Sequence, residues 1–189
     1  MQPDVPRANV LRRLPGFDTV VRIAGRLSTP ASGGSELLTL GSSSYEPWHL
    51  VAHLRDVAEW GGSKMPPPTL VRHVVPNGAP PHLAVGLNHL GTIGRSGTVL
   101  VVTPDELDER TLERLADARR RGGTVLAVGT AATNAADLTG VAQELALVTP
   151  THFEVAQHVL PGAAVRKLPV QNAAAARAAS RWRPFRLAR

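Results

Sequence analysis

The pattern of apolar residues predicts short strands separated by longer helical stretches. Five apolar runs, bounded mostly by glycine, serine or proline, predict buried strands at residues 36–40, 70–75, 97–103, 124–128 and 145–148. Between them, helices are predicted at residues 47–60, 82–90, 104–121 and 151–160. Apolar strands that alternate with helices are typical of a parallel sheet covered on both faces. We therefore predict an α/β fold of three layers, in which helices cover a doubly wound, mostly parallel, five-stranded sheet.

The predicted helix boundaries are marked by charge and by glycine. In the stretch 104–121 the acidic residues come first and the arginines last, which suits the helix macrodipole. We expect Asp105 to cap this helix and Asp108 to face solvent or an arginine of the same helix. Closer to the N-terminus, Pro15 and Gly16 divide residues 4–28 into two predicted short helices.

The loops that follow the predicted strands form the candidate site, because ligands of doubly wound sheets bind beyond the carboxyl ends of the strands. These loops are residues 41–44, 76–81, 103–108, 129–134 and 149–152. In the first, Gly41, Ser42, Ser43 and Ser44 join a strand to a helix, where backbone N–H groups and hydroxyls suit a phosphate. The alternative is that a serine caps the helix. The loop lacks the Gly-x-Gly-x-x-Gly and Gly-Lys-Ser/Thr patterns of nucleotide-binding loops.

Residue types with strong chemistry are few. The chain has no cysteine, which excludes disulfides, cysteine-based zinc sites and a thiol nucleophile. His49 and His53 are four residues apart on a predicted helix, a spacing that can hold a metal, but no third ligand is marked by spacing. His82 and His89 are candidate acid–base groups, because histidine titrates near neutral pH. We predict no metal and no cofactor, and we assign no catalytic residue.

Length and composition fit one domain. The chain has 189 residues, of which 43% are hydrophobic and 4% aromatic, so we expect an aliphatic core. Its formal net charge of +6 is unevenly distributed, since residues 171–189 contain five arginines and no acidic residue. We therefore predict a single domain over residues 1–170 and a basic tail, rich in alanine and arginine, over residues 171–189.

The basic tail has two interpretations. It is a solvated terminus or a short helix docked by Trp182 and Phe185, or it binds an acidic partner such as a nucleic acid or an acidic lipid. No apolar run is long enough for a transmembrane helix, and the N-terminus lacks the apolar segment of a signal peptide. We therefore expect a cytoplasmic protein without a membrane partner.

Taken in order, four stretches resemble the sugar isomerase (SIS) domain family, the phosphosugar-binding fold of glucosamine-6-phosphate synthase. Gln2 and Pro3, followed by residues 10–14 and 21–27, look like the family's opening helices, and residues 37–45 look like its first strand and Gly-x-Gly-Thr-Ser-Tyr loop. Residues 99–128 look like the segment that contains its Ser-x-Ser-Gly-x-Thr motif, and residues 145–156 look like a later strand and helix. The resemblance covers about residues 1–165 and implies one SIS-like domain.

The resemblance implies a sugar-phosphate pocket lined by residues 41–44 and Thr103. Asp105 and Asp108 depart from the family pattern, because they replace the second serine and the threonine that contact phosphate in the family. A carboxylate about 4 Å from a phosphate costs about 1 kcal/mol in water and about 4 kcal/mol at an effective dielectric constant near 20. Binding would then need a bridging cation, aspartates that point away, or an uncharged or amino sugar as the ligand.

We accordingly predict a domain that binds a sugar phosphate or another carbohydrate derivative, with phosphosugar isomerase-like catalysis left open. The substrate-binding candidates are Gly41, Ser42, Ser43, Ser44, Thr103, Asp105 and Asp108. The alternatives are a non-catalytic, dimerising interaction protein with a degenerate pocket, and a nucleotide-binding module. A homodimer is expected by analogy with SIS-like folds.

Overall fold

The computed structural model describes residues 15–28, 36–61, 64–133 and 135–165. These residues form five strands, β1 to β5, which are Leu37–Leu40, Pro68–Val71, Thr98–Thr103, Thr124–Thr130 and Glu144–Val148. They also form five α-helices, α1 to α5, which are Phe17–Leu27, Trp48–Trp60, Glu109–Arg120, Ala135–Val141 and Phe153–Val165. Three short 3-10 helices lie at Pro81–Leu83, Leu87–Thr92 and Pro150–His152.

All five strands are parallel and pair in the order β2-β1-β3-β4-β5. At the end of β1, Leu40 is in register with Val71 on one side and with Val101 on the other. The predicted doubly wound α/β fold is therefore confirmed. The strand order reverses between β1 and β3, and a crevice opens beyond the carboxyl ends at such a switch point. The loops after β1 and β3 are therefore where a ligand is expected.

Alternate residues of the central strands pack against helices on opposite faces of the sheet. On one face, Leu100 and Val102 of β3 cluster with residues of α1, α2 and α5, among them Val20, Ile23, Leu27, Leu50, Leu54, Phe153 and Leu160. On the other face, Val99 and Val101 cluster with residues of α3, α4 and the 3-10 helix before β3, among them Leu87, Leu90, Leu115, Ala118 and Leu138. Burying one leucine side chain stabilises a fold by about 1.5–3 kcal/mol. Because helices cover both faces of the sheet, side chains that point to either face are buried. This explains why β1, β3 and β4 have apolar residues at consecutive positions.

Two elements begin or end away from their predicted boundaries. Helix α3 begins at Glu109 rather than near residue 104, because Asp108 has an extended backbone, with φ −69° and ψ 157°, and caps the helix. Strand β2 ends at Val71, so the chain has left the sheet by Arg72, whereas the sequence predicts a strand over residues 70–75.

Two further segments differ in kind from the prediction. Helix α4 is not predicted, because Leu138 is the one buried residue in this short helix and no amphipathic stripe forms. The helix predicted over residues 82–90 is replaced by two 3-10 helices, at Pro81–Leu83 and Leu87–Thr92. Both segments are rich in alanine, glycine or proline, whose spacing gives little periodic signal.

Helix α1 begins directly after Gly16, in agreement with the predicted break at Pro15 and Gly16. Gly16 has a left-handed backbone, with φ 77°, and an added Cβ would lie 2.4 Å from the carbonyl oxygen of Leu147. Glycine is needed here on both counts. The predicted helix before Pro15 and the predicted tail, with Trp182 and Phe185, lie outside the described residues. None of the described helices has the length and hydropathy needed to cross a bilayer.

Candidate functional site

The serine loop after β1, residues 41–44, turns back on itself before α2 begins. The backbone N–H of Tyr45 donates to the carbonyl of Ser42 at 3.2 Å, and the hydroxyls of Ser42 and Ser44 are 3.0 Å apart. This turn requires Gly41, because an added Cβ would lie 1.8 Å from the carbonyl oxygen of Tyr45. Ser42 is buried, whereas Ser43 and Ser44 are exposed. No described group accepts a hydrogen bond from the backbone N–H of Ser43 or Ser44, so both donors remain available to an anion.

The serines do not cap α2. The residue before the first turn is Pro47, and no side chain accepts a hydrogen bond there. Tyr45, Glu46 and Pro47 separate the serine loop from the helix. The alternative interpretation of the loop as a helix cap is therefore wrong. For the same reason the dipole of α2 contributes little at the serines, because its effect falls off within the first turn.

The loop after β3 is tied to the serine loop by one carboxylate. Thr103 is fully buried, and its hydroxyl donates to the carbonyl of Asp105 at 2.8 Å and accepts from the N–H of Asp105 at 3.2 Å. This hydroxyl therefore faces its own loop. The Asp105 carboxylate accepts a hydrogen bond from the Ser44 hydroxyl at 2.9 Å. Asp105 thus bridges the two loops at the switch point of the sheet.

Asp108, and not Asp105, caps helix α3, which corrects the expected roles of the two aspartates. Its carboxylate accepts a hydrogen bond from the Thr111 backbone N–H at 2.7 Å and lies 3.6 Å from Nδ1 of His73. Partial burial opposes the charged form, but the Thr111 N–H, His73 and Arg110 outweigh it and hold the pKa of Asp108 below its usual range. Asp108 is therefore a structural carboxylate, ionised at neutral pH.

A cleft with a volume of about 370 Å³ opens beside Asp105. Its lining comes from the loops after β1, β3, β4 and β5 and from the start of α5, and consists of Tyr45, Pro104, Asp105, Thr130, Ala132, Pro150, Phe153 and Glu154. This volume lies within the range of small-molecule sites, about 300–1,000 Å³. Of the substrate-binding candidates chosen from sequence, Asp105 lines the cleft and Ser44 contacts Asp105. Asp108 and Gly41, Ser42, Ser43 and Thr103 do not line it.

Two aromatic rings and two carboxylates give the cleft its chemical character. Tyr45 and Phe153 meet edge to face, with ring centroids 5.6 Å apart, and the Tyr45 hydroxyl donates to Oε1 of buried Gln157 at 2.8 Å. Burial raises the pKa of Tyr45 and the Glu154 carboxylate raises it further, whereas the hydrogen bond to Gln157 acts in the opposite direction. Tyr45 therefore stays a neutral phenol at physiological pH, and the carboxylates of Asp105 and Glu154 supply the acceptors.

Two solved structures share the arrangement of these elements. One is the sugar isomerase domain of the RpiR transcription factor from Sphaerobacter thermophilus, which matches with a TM-score of 0.54 and 13% identity, over 93% of this chain and 92% of that chain. This chain has a sugar isomerase (SIS) domain fold. The second is the Vibrio vulnificus NanR protein complexed with ManNAc-6P, with a TM-score of 0.55 and 12% identity. The match covers 91% of this chain and 63% of NanR, which is less than two thirds of the NanR chain.

The comparisons with family models and with curated proteins do not detect this likeness. No family model matches this chain, and no curated protein matches it. The SIS-like fold that the sequence resemblance implied is therefore confirmed through the solved structures, at identities that carry the fold alone.

The carboxyl edge of this SIS-like domain is acidic. Asp105 and Glu154 line the cleft, and no lysine or arginine of the described residues does so. Arg72 follows β2 at the same edge of the sheet, but its guanidinium contacts both carboxylate oxygens of Glu46, at 3.1 and 3.3 Å, and lies 5.2 Å from the Trp48 ring centroid. Its charge is therefore largely offset. The side chains that line the cleft thus include two carboxylates, which are hydrogen-bond acceptors.

The predicted acid–base histidines lie away from the cleft of the SIS-like domain. His89 contacts Glu36 at 2.7 Å, and Glu36 precedes β1 at the amino edge of the sheet, opposite the cleft. His82 is exposed on the 3-10 helix Pro81–Leu83. The nearest histidine in sequence to the cleft residues is His152, whose Nδ1 lies 2.6 Å from the Thr149 hydroxyl.

Sequence reasoning missed most of the side chains that line the cleft. The loops after β4 and β5 were identified as part of the candidate edge, but nothing in their composition singled out Thr130, Phe153 or Glu154. The signal for Tyr45 was its position in the segment that resembles the Gly-x-Gly-Thr-Ser-Tyr loop. Glu154 carried a weaker signal, as an acidic residue in the first turn of a helix that follows a strand.

Proposed function

We propose that this SIS-like domain binds a carbohydrate derivative in the cleft at the carboxyl edge of the sheet. The observation that carries the proposal is the pairing of aromatic rings with carboxylates around about 370 Å³ of space, with Tyr45 and Phe153 beside Asp105 and Glu154. Aromatic side chains offer an apolar surface to the C–H face of a sugar ring. Ionised carboxylates accept hydrogen bonds from its hydroxyls. The fold shared with NanR, whose structure holds ManNAc-6P, supports the same class of ligand.

The charge of the cleft favours a neutral or amino sugar over a phosphate placed between the two carboxylates. At 4 Å and an effective dielectric constant near 20, each carboxylate opposes a negative charge by about 4 kcal/mol. A sugar phosphate is accommodated best with its phosphate outside the cleft, at the free backbone N–H groups of Ser43 and Ser44. Asp105, which contacts Ser44, opposes the phosphate even there.

Binding, and not isomerisation, is the function proposed. A phosphosugar isomerase moves a proton between two carbon atoms, which requires a general base close to the sugar. Carboxylates can serve as such a base, and Asp105 and Glu154 line the cleft. The Tyr45 phenol keeps its proton, because burial and Glu154 raise its pKa. The proposal is therefore limited to binding, and the isomerase-like catalysis that the resemblance implies stays open.

The test is a titration calorimetry panel of neutral hexoses, hexosamines and hexose 6-phosphates, with a variant that fills the cleft. Ala132 is an exposed lining residue, so Ala132→Trp blocks the space without disturbing the core. We expect a hexose or hexosamine to bind the parent and to lose affinity by about tenfold or more in Ala132→Trp. The matched control is Ala136→Trp, an exposed alanine of α4 outside the cleft lining, which should bind as the parent does. Failure of all three sugar classes, or equal binding by Ala132→Trp, would overturn the proposal.

A second candidate function is a dimerising interaction protein, and an exposed apolar patch favours it. Trp60, at the end of α2, is 84% exposed, and Val165, at the end of α5, is 44% exposed. The two lie at neighbouring helix ends, since a Cβ added to Gly61 would lie 3.2 Å from Cγ2 of Val165. If this patch is an interface, Trp60→Ser shifts the full chain from dimer to monomer in analytical ultracentrifugation. The homodimer, the acidic partner of the tail and the cytoplasmic location stay predictions.

A further inference from the structure

Three histidines lie side by side where α2 meets α5. His49 and His53 are one turn apart on α2, and His158 is on α5. One ring nitrogen from each histidine lies within 4.8 Å of the corresponding nitrogens of the other two, and Nε2 of His49 is 3.2 Å from Nε2 of His53. The ring centroids are 4.4 to 5.6 Å apart.

The packing of the two helices holds this cluster together. Residues four apart on a helix face the same side, so His49 and His53 project together. Leu50 and Leu54 of α2 and Leu160 of α5 are fully buried in one core cluster, which places the two helices against each other. His49 and His158 are exposed and His53 is partly exposed, so an ion reaches the three rings from solvent.

The cluster has ligand atoms without competing partners. Among the described residues, no carboxylate forms a hydrogen bond or ion pair with any of the three rings, and their one polar contact joins Nε2 of His49 to Nε2 of His53. In this hydrogen bond one Nε2 donates its N–H, and the other accepts with the lone pair that could bind an ion. Neutral imidazole is a good ligand for Zn²⁺, Cu²⁺ and Ni²⁺ and a poor one for Mg²⁺ or Ca²⁺.

The distances suit a tetrahedral ion. With Zn–N bonds of about 2.0–2.1 Å, two ligand nitrogens in a tetrahedral site are about 3.3 Å apart. The two nitrogens on α2 are 3.2 Å apart, so they need little adjustment. His158 is exposed, so its side chain has room to turn toward the other two.

We propose that His49, His53 and His158 bind a divalent transition-metal ion of the Zn²⁺ type, with water in the fourth position. The site lies outside the lining of the carbohydrate cleft and does not depend on the proposed function. Because its ligands come from two helices, the bound ion links α2 to α5 and stabilises the folded state.

The experiment uses the full chain without a histidine tag, freed of metal by a chelator and titrated with Zn²⁺ by calorimetry. We expect one ion per chain, and no binding of Mg²⁺. Loss even of an outer-shell partner costs about 10–100-fold in metal affinity, so His158→Ala should weaken binding by at least about tenfold. The control is His82→Ala, which removes an exposed histidine outside the cluster and should leave the affinity unchanged. Zn²⁺ should also raise the melting temperature of the parent more than that of His158→Ala.

A separate variant guards against misfolding. His158→Gln keeps a polar side chain of similar length, and its metal-free melting temperature reports whether the fold is intact. If His158→Ala and His158→Gln are folded and bind Zn²⁺ as tightly as the parent, the three-histidine site is wrong and only the pair on α2 binds. Absence of Zn²⁺ binding by the parent overturns the proposal as well. Tetrahedral coordination is checked with Co²⁺, whose visible absorption is intense in a four-coordinate site and should be lost in both variants.

Discussion

Asp105 and Asp108 are three residues apart in the sequence, but their carboxylates have different contacts. Asp105 lies in the turn after β3, whereas Asp108 lies at the start of α3. In the turn after β3, Asp105 points across to Ser44 of the neighbouring loop and lines the cleft. At the start of α3, the extended backbone of Asp108 directs its carboxylate back onto the N–H of Thr111. Both replace phosphate-contacting residues of the family pattern, yet Asp105 alone lines the cleft. The backbone conformation, and not the position in a motif, determines which carboxylate lines the cleft.

The largest effect on stability is expected when a substitution disrupts the serine loop, which contacts Asp105. In Gly41→Ala the new Cβ would lie 1.8 Å from the carbonyl oxygen of Tyr45, so the serine loop must move. We expect a loss of more than about 3 kcal/mol in the free energy of unfolding, measured by chemical denaturation. The control is Gly140→Ala, whose Cβ meets nothing within 4 Å and which should be neutral or slightly stabilising. A stable Gly41→Ala protein would show that the loop is not as tight as described.

The next largest effect is on the affinity for a hexose 6-phosphate, which should differ between substitutions of Asp105 and of Asp108. Asp105→Ser removes the carboxylate that contacts Ser44, and we expect hexose 6-phosphate to bind this variant about tenfold or more tightly than the parent in calorimetry. Asp108→Thr should leave that affinity unchanged, because Asp108 does not line the cleft. An equal gain from both substitutions would mean that both carboxylates face the ligand, and the contrast between them would be lost.

A smaller effect on stability should belong to Asp108. Replacing a capping residue by alanine costs about 1 kcal/mol, so Asp108→Ala should lower the free energy of unfolding by about that amount at pH 7. Because its pKa is lower in the folded protein, ionised Asp108 stabilises the fold above the ordinary aspartate pKa, about 3.9. This part is lost as the pH falls through the folded-state value, so the difference between parent and variant should narrow in acid.

A matched variant separates the charge of Asp108 from its hydrogen bond. Asparagine is a comparable helix cap, so Asp108→Asn should keep most of the stability at pH 7 and lose the pH dependence. The measurement is a series of urea denaturation curves from pH 7 to acid. The lowered pKa would be contradicted if the difference in the free energy of unfolding between the parent and Asp108→Ala stayed constant across the series.

The smallest effect should come from the hydroxyl that holds Asp105. Ser44→Ala removes the 2.9 Å hydrogen bond to the carboxylate, but both groups are exposed and gain water in its place. The change in the free energy of unfolding should stay within about 0.5 kcal/mol. Ser43→Ala, a neighbouring exposed serine, is the control. If Ser44→Ala also raises affinity for a hexose 6-phosphate severalfold, the hydroxyl was orienting Asp105 toward the ligand.

The sheet was predictable because its strands are buried on both faces. Residues 97–103 and 124–128 are apolar at successive positions, and the structure places β3 and β4 there at the centre of the sheet. Helix α4 was not predictable, because a short helix with one buried leucine has no apolar stripe. The start of α3 was placed too early, since acidic residues suit both a loop and a first helical turn.

The candidate site was predictable only as an edge of the sheet. The switch-point rule selects the loops, but which side chains turn inward depends on contacts between loops far apart in the sequence. Thr103 illustrates this, because its hydroxyl forms hydrogen bonds with the backbone of Asp105 in the same turn. His158 is a second case: His49 and His53 have a recognisable spacing, whereas their neighbour on α5 is brought to them only by the packing of two helices.

The contact of Gly16 with Leu147 bears on how the molecule avoids aggregation. Strand β5 ends the sheet, and an uncovered end strand is a template on which another chain can add a strand. The chain at Gly16 lies against the backbone of Leu147, and Arg22 and Arg26 of α1 pair with Glu144 at the start of the same strand. Helix α1 therefore runs along β5, from the end of that strand to its start. A bulky residue in place of Gly16 would push the chain away from the backbone of Leu147, and we expect this end strand to become more open to pairing with another chain.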